Sequence, residues 1–160
     1  MTITHLPPFD ITLKSGSLAV REALRHLLER LGPLELDIEE AGTVELVLAE
    51  ALNNIVEHAY RAPEAAGPIC IRCSHKKDGL HLRIRDRGLS MPDGPLADGG
   101  PARTEMISGD LPEGGFGWFL IRDLAKDVQY RRVGIENRLD LRLAVAMNAT
   151  RGGSVHELRP

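Results

Sequence analysis

The sequence predicts an α+β domain, a two-layer α/β sandwich with helices on one face of a mixed, mostly antiparallel sheet. Three observations predict it. The chain has 160 residues, enough for one domain with a real core and short for two. Its periodic segments run β-α-α-β-β, then a long irregular stretch, then α-β-β. Two pairs of strand-like runs are joined by tight turn sequences, the mark of antiparallel hairpins.

Each element has its own signal. FDITLK, residues 9–14, alternates apolar and polar side chains as a half-buried strand does. Ser15 and Ser17 offer an N-cap to LAVREALRHLLERL, an amphipathic helix stopped by Gly32 and Pro33. A second helix spans about residues 37–61. Its apolar stripe is Val44, Val47, Leu48, Ala51, Leu52, Ile55 and Ala59, at helical spacing. Residues 67–74 and 79–86 read as strands around a KKDG turn. Residues 87–115 hold seven glycines and four prolines and no sustained period. Long structureless loops in compact domains are functional lids or disordered, and this one reads as a lid. FGWFLIRDLAKDV then reads as a helix, and VQYRRV and ENRLDLRLAV as strands around Gly134. One domain thus covers residues 1–146, and a polar tail, residues 147–160, is expected to be flexible.

Composition narrows the class. Hydrophobic residues make up 42% and charged residues 27%, as in ordinary soluble globular proteins. A net charge of −3 gives no general attraction to nucleic acid or to an anionic membrane. No run approaches the roughly 18 apolar residues of a membrane span. The start, MTITHLPPFD, lacks the charged and apolar regions of a signal peptide, so the cytoplasm is the expected location. Cys70 and Cys73 form a C-x-x-C, but strand alternation points them to opposite faces. With no second ligand pair in the chain, they read as structural.

Three places carry chemistry. In the second helix, Glu50 and Asn54 are four residues apart and stack on one face, with Asn54 and His58 at the border of the apolar stripe. Asn in mid-helix costs roughly half a kcal/mol against Ala. A carboxylate and an amide oxygen at a core edge suit a hard cation such as Mg²⁺, or a polar ligand; otherwise they belong to a solvated helix face. In LHLRIRD, parity puts Asp86 on the apolar face, where a carboxylate needs a hydrogen-bond partner. Gly88 follows and allows close backbone approach. A ligand with an exocyclic amino group, such as adenine, fits there; the bland reading is a turn facing water. In EGGFGWFLI, glycines open a helix whose free N–H groups can receive phosphate, or they are a lid hinge.

Taken together, helix E-x-x-x-N, strand-end D-x-G, lid, and G-x-G opening a helix resemble the GHKL ATPase superfamily, with its Bergerat, histidine-kinase-like fold. AEALNNIVEHAY, DRGLSMPD and GGFGWFLIRDLAKDVQYRR with NRLDL resemble most the anti-sigma-factor serine kinases of bacterial partner switching. The resemblance spans about residues 9–145. It implies ATP and Mg²⁺ as ligands, with Asn54 holding the metal and Glu50 acting as general base. It implies that Asp86 bonds the adenine amino group, with Gly88 and Met91 shaping the base pocket. Gly115, Phe116, Gly117 and Trp118 would hold phosphates through backbone N–H groups. It implies phosphorylation of a STAS-type anti-sigma-factor antagonist and sequestration of a sigma factor or other output protein. The first strand and helix, with Arg21 and Arg25 on the polar face, would serve a homodimer or partner contacts. Two departures stand out: Ser90 replaces the second glycine of D-x-G-x-G, and Glu113 precedes the G2 glycines where some relatives carry a cation. An arginine elsewhere in the lid, such as Arg103, would be a substitute. The rival readings are a nucleotide-gated binding module without transfer, a detached histidine-kinase catalytic domain, and a plain ATPase.

Overall fold

A computed structural model describes residues 6–60, 67–90 and 113–147, the side chains of 113–117 excepted. Five strands form one sheet: β1 (Phe9–Lys14), β2 (Pro68–Lys76), β3 (Gly79–Asp86), β4 (Lys126–Val133) and β5 (Glu136–Leu143). Their order is β1-β2-β3-β5-β4. All four pairings are antiparallel, so the sheet has no parallel pair among the described residues. The helices are α1 (Ser17–Arg30), α2 (Ile38–Asn54) and α3 (Glu113–Leu124). None of the described helices is long and apolar enough to cross a membrane. Of the expected lid, residues 87–115, the stretch 91–112 with Met91 and Arg103 lies outside the described residues, as does the expected tail beyond Met147.

Register explains where the core sits. Rows of buried side chains cross the sheet: Cys73, Leu82 and Leu141 in one, Ile71, Ile84 and Leu139 in the next. Val44, Val47, Leu48, Ala51 and Leu52 of α2 join the same cluster, so the helices cover one face. Full burial of each such aliphatic side chain is worth about 1.5–3 kcal/mol. The opposite face is charged. There Arg83 pairs with Asp140 at 2.7 Å. Arg85 and Arg138 stand opposite each other, with Glu136 between them at 3.9 and 3.0 Å.

The Cys reading holds. Cys73 lies in the core, and burial pushes its thiol up to about 12. Cys70, half-buried, accepts a contact from the Arg85 guanidinium at 3.1 Å. The capping of α1 differs from expectation. Gly16 stands at the N-cap without any side-chain cap. Ser15 is engaged instead with the end of β2, its N–H donating to Gly67 O at 2.9 Å and its Oγ accepting from Gly67 N at 3.3 Å. By contrast α2 opens with a full capping box: Asp37 Oδ1 accepts from Glu40 N at 2.7 Å, and Glu40 Oε1 accepts from Asp37 N at 3.1 Å.

Candidate functional site

The second helix does not continue regularly to residue 61. After Asn54 it widens into a π-helical turn, Ile55–Ala59, closed by Tyr60 N donating to Ile55 O at 3.1 Å. Such π turns recur at functional sites. Here the turn aims the end of the helix at the end of β3. Ala59 O accepts from Leu89 N at 2.9 Å. Tyr60 Oη donates to Pro68 O at 2.9 Å and accepts from Arg87 N at 2.8 Å. Gly88 sits so close that a Cβ there would overlap the Ala59 carbonyl oxygen. This is the close approach that only glycine permits.

Asp86 ends β3 on the helix-covered face and is 4% exposed. Its cross-strand neighbours are Ile69 and Asn137, so the row that elsewhere carries aliphatics ends in a polar pair. Both hydrogen bonds to the carboxylate fall on Oδ1, from Asn137 Nδ2 and from Gly88 N, each at 2.8 Å. Oδ2 has no partner among the described residues. Desolvation raises the Asp86 pKa, while the bonds from Asn137 and Gly88 oppose the rise. Asn137, 1% exposed, was not singled out from the sequence. It also donates to Gly88 O at 3.2 Å and Leu89 O at 3.1 Å, and its Oδ1 accepts from Arg132 at 2.8 Å. The available signal was parity: Asn137 is the one polar residue on the face that holds Leu139, Leu141 and Leu143.

On α2, Asn54 is 3% exposed, deeper than the border position its helical angle predicts. Its Nδ2 is buried and has no partner among the described residues. Glu50, one turn earlier, is half-buried. As it stands the orphaned group is an N–H donor, which suits an acceptor such as a phosphate oxygen; the amide oxygen is the atom that suits Mg²⁺, which takes oxygen ligands and is usually held by few protein groups plus phosphates. Turning the amide about its last torsion would present its oxygen. Among the described residues no group of three or more His, Cys, Asp or Glu gathers to hold a metal by itself.

Gly115, Phe116 and Gly117 lie in the opening turns of α3. The first four N–H groups of a helix have no partner within it, so the anion-receiving end of α3 centres on residues 113–116. Trp118 lies one position further on. Its side chain is 7% exposed and packs edge-on against Tyr130, with ring centroids 6.3 Å apart. The ring thus anchors α3 to β4, and α3 also packs on α2.

A family model described as the histidine kinase-like ATPase domain matches residues 15–143. The serine-protein kinase RsbW of Bacillus cereus is 32% identical over 111 residues, 69% of this chain and 66% of the relative. RsbW of Bacillus mycoides gives the same figures. The match therefore spans 66% of the length of these curated relatives. The solved RsbU and RsbW domains of a Mycobacterium tuberculosis protein superpose with a TM-score of 0.61, at 19% identity, over 87% of this chain and 32% of that one. The histidine kinase domain of a blue-light activated kinase from Erythrobacter litoralis gives 0.51, at 16% identity, over 82% and 63%. Both structures share the fold.

Proposed function

Because the chain belongs to the histidine kinase-like ATPase domain family, we propose that it is an ATP-dependent protein serine kinase of the anti-sigma type. Its substrate is a STAS-type antagonist, and its second partner a sigma factor or other output protein, in the cytoplasm. One observation carries the nucleotide part. Asp86 is buried and fixed through Oδ1 alone, which leaves Oδ2 for a donor such as the adenine amino group. The relatives named serine-protein kinase support the reaction type.

In this reading the base sits against Asp86 where Gly88 lets the backbone pass the end of α2, with Met91 beside it. The phosphates lie at the start of α3, on backbone N–H groups around Gly115, Phe116, Gly117 and Trp118. Asn54 holds Mg²⁺, which when bound neutralises phosphate charge. The serine Oγ of the antagonist attacks the γ-phosphorus, and the bond to the β–γ bridging oxygen breaks to leave ADP. Glu50 accepts the serine proton. Most of the catalysis is positioning and charge neutralisation.

Ser90 and Glu113 favour a second reading, a nucleotide-gated binding module without transfer. Incubation with labelled ATP, Mg²⁺ and a STAS protein encoded nearby separates the two. Stoichiometric serine labelling is expected. If nothing is labelled while ATP still changes partner affinity, the binding module is the function.

A further inference from the structure

One row of the sheet changes character from end to end. Ile69, Asp86, Asn137 and Arg132 stand opposite one another across β2, β3, β5 and β4. The corresponding row two residues away is Ile71, Ile84, Leu139 and Tyr130. An acid, an amide and a base thus replace the side chains of a core row, and they are linked in that order. Arg132 Nη1 donates to Asn137 Oδ1 at 2.8 Å, and Asn137 Nδ2 donates to Asp86 Oδ1 at 2.8 Å.

A side-chain amide can be turned end for end, and its two ends bond in opposite senses. Here both ends are fixed. A guanidinium only donates, so the end that faces Arg132 must be the oxygen. The other end meets three oxygens, Asp86 Oδ1, Gly88 O and Leu89 O, at 2.8, 3.2 and 3.1 Å, so it must be the nitrogen. Asn137 therefore always offers Asp86 a hydrogen. That favours the ionised carboxylate against the burial that disfavours it, and the charge of Arg132 acts in the same direction. The difference matters to a ligand. An ionised carboxylate only accepts, whereas a protonated carboxyl also donates. The first suits the amino group of adenine, and the second suits a base with an oxygen in its place.

We propose that Asn137 and Arg132 decide which base this site takes: they fix Asp86 as a hydrogen-bond acceptor and so select a purine with an amino group at C6. Both are positioning residues that act through Asp86. The proposal rests on the reading of Asp86 as the contact to the base, and adds what enforces that reading.

Calorimetry of the full chain with Mg²⁺ and three nucleotides tests it. ATP carries the amino group at C6, inosine triphosphate an oxygen, and purine riboside triphosphate only hydrogen. Wild type should prefer ATP, then purine riboside triphosphate, then inosine triphosphate. Asn137→Leu keeps the bulk of the side chain and removes the donor. Its ATP-to-inosine-triphosphate affinity ratio should fall roughly 10–150-fold, the worth of a hydrogen bond to a charged group. Asn137→Ser retains a donor and should keep the order of preference. Arg132→Met, an exposed position, should lower the ratio by roughly 2–12-fold, as for one ordinary hydrogen bond, and Arg132→Lys should restore it. In all four variants the affinity for purine riboside triphosphate should stay at the wild-type value, because that base makes no bond to Asp86; a merely structural role would weaken all three nucleotides alike. Thermal melts confirm folding, and where Asn137→Leu does not fold the Arg132 pair decides alone. Equal binding of the three nucleotides by wild type would overturn the reading of Asp86 and the proposal with it. A wild type that prefers ATP, with the ratio unchanged in folded Asn137→Leu and Arg132→Met, would leave that reading standing and overturn the proposal. So would a uniform loss of all three nucleotides.

Discussion

Asp86 is held in a position where its charged form costs stability. Burial disfavours its charged form, and only Oδ1 is compensated. A carboxyl whose pKa is raised on folding contributes stability when protonated, and that contribution is lost as pH rises through the folded pKa. Asp86→Asn is therefore expected to raise the melting temperature of nucleotide-free protein at neutral pH. The gain should shrink as pH falls towards the raised carboxyl pKa, because the wild type then sheds its buried charge. A pH series of thermal melts for both proteins checks this; a constant offset would mean that the charge is not the cause. The same variant puts an amide donor against the adenine amino group. ATP affinity should fall roughly 10–150-fold, matching about 1.5–3 kcal/mol for a hydrogen bond to a charged group. The preference for ATP over GTP, measured by calorimetry, should shrink with it. Gly88→Ala tests the neighbouring contact. Its methyl group meets the Ala59 carbonyl, so the chain must shift, at a cost of about 1–3 kcal/mol read by urea denaturation.

At the scale of elements, α2 is the one on which the site depends, and its start is independent of its end. Asp37 lies at the opposite end of the helix from Asn54, in a reciprocal capping box. Asp37→Ala should cost about 0.5–2 kcal/mol of stability and leave nucleotide affinity unchanged. An equal loss in both would mean that the helix transmits fraying to the site. The same helix shows what was legible. Its stripe and its beginning follow from periodicity and capping chemistry, which act within a few residues. The π turn after Asn54 does not, because the groups that its end meets, Leu89 at Ala59 and Arg87 at Tyr60, are far away in sequence. Asp86 was legible by strand parity, but its partner Asn137 depends on β5 inserting between β3 and β4. The sheet was read as mixed for a related reason. Hairpin turns announce antiparallel neighbours, whereas the directions of the β1–β2 and β3–β5 pairs are set by long connections. Trp118 was singled out for its backbone, and its ring proved to be a core anchor between α3 and β4.

Across the whole molecule the candidate site joins three separate supports. Glu50 and Asn54 come from α2, Asp86 and Gly88 from the end of β3, and the anion-receiving turn from α3. In the proposed reaction each support has a different task, so variants should separate the tasks. Glu50→Gln keeps the shape of the side chain but cannot accept a proton. Binding of Mg-ATP should survive, since the metal is assigned to Asn54 and the phosphates to backbone N–H groups. Transfer should fall roughly 10²–10⁴-fold, the range for loss of a general base. Asn54→Ala should lose Mg-ATP affinity and transfer together. Stability should separate the two as well. Glu50 is half-buried, and its amide replacement opens no cavity, so Glu50→Gln should melt within about 0.5 kcal/mol of wild type, as substitutions away from core features do. Asn54→Ala removes a buried amide whose nitrogen has no partner among the described residues, so its loss of affinity should not be accompanied by unfolding. Calorimetry with Mg-ATP, thermal melts and single-turnover labelling of the STAS partner are read side by side. A folded Glu50→Gln protein that labels its partner at the wild-type rate would remove Glu50 from the chemistry. Retained Mg-ATP affinity in Asn54→Ala would remove the metal from α2.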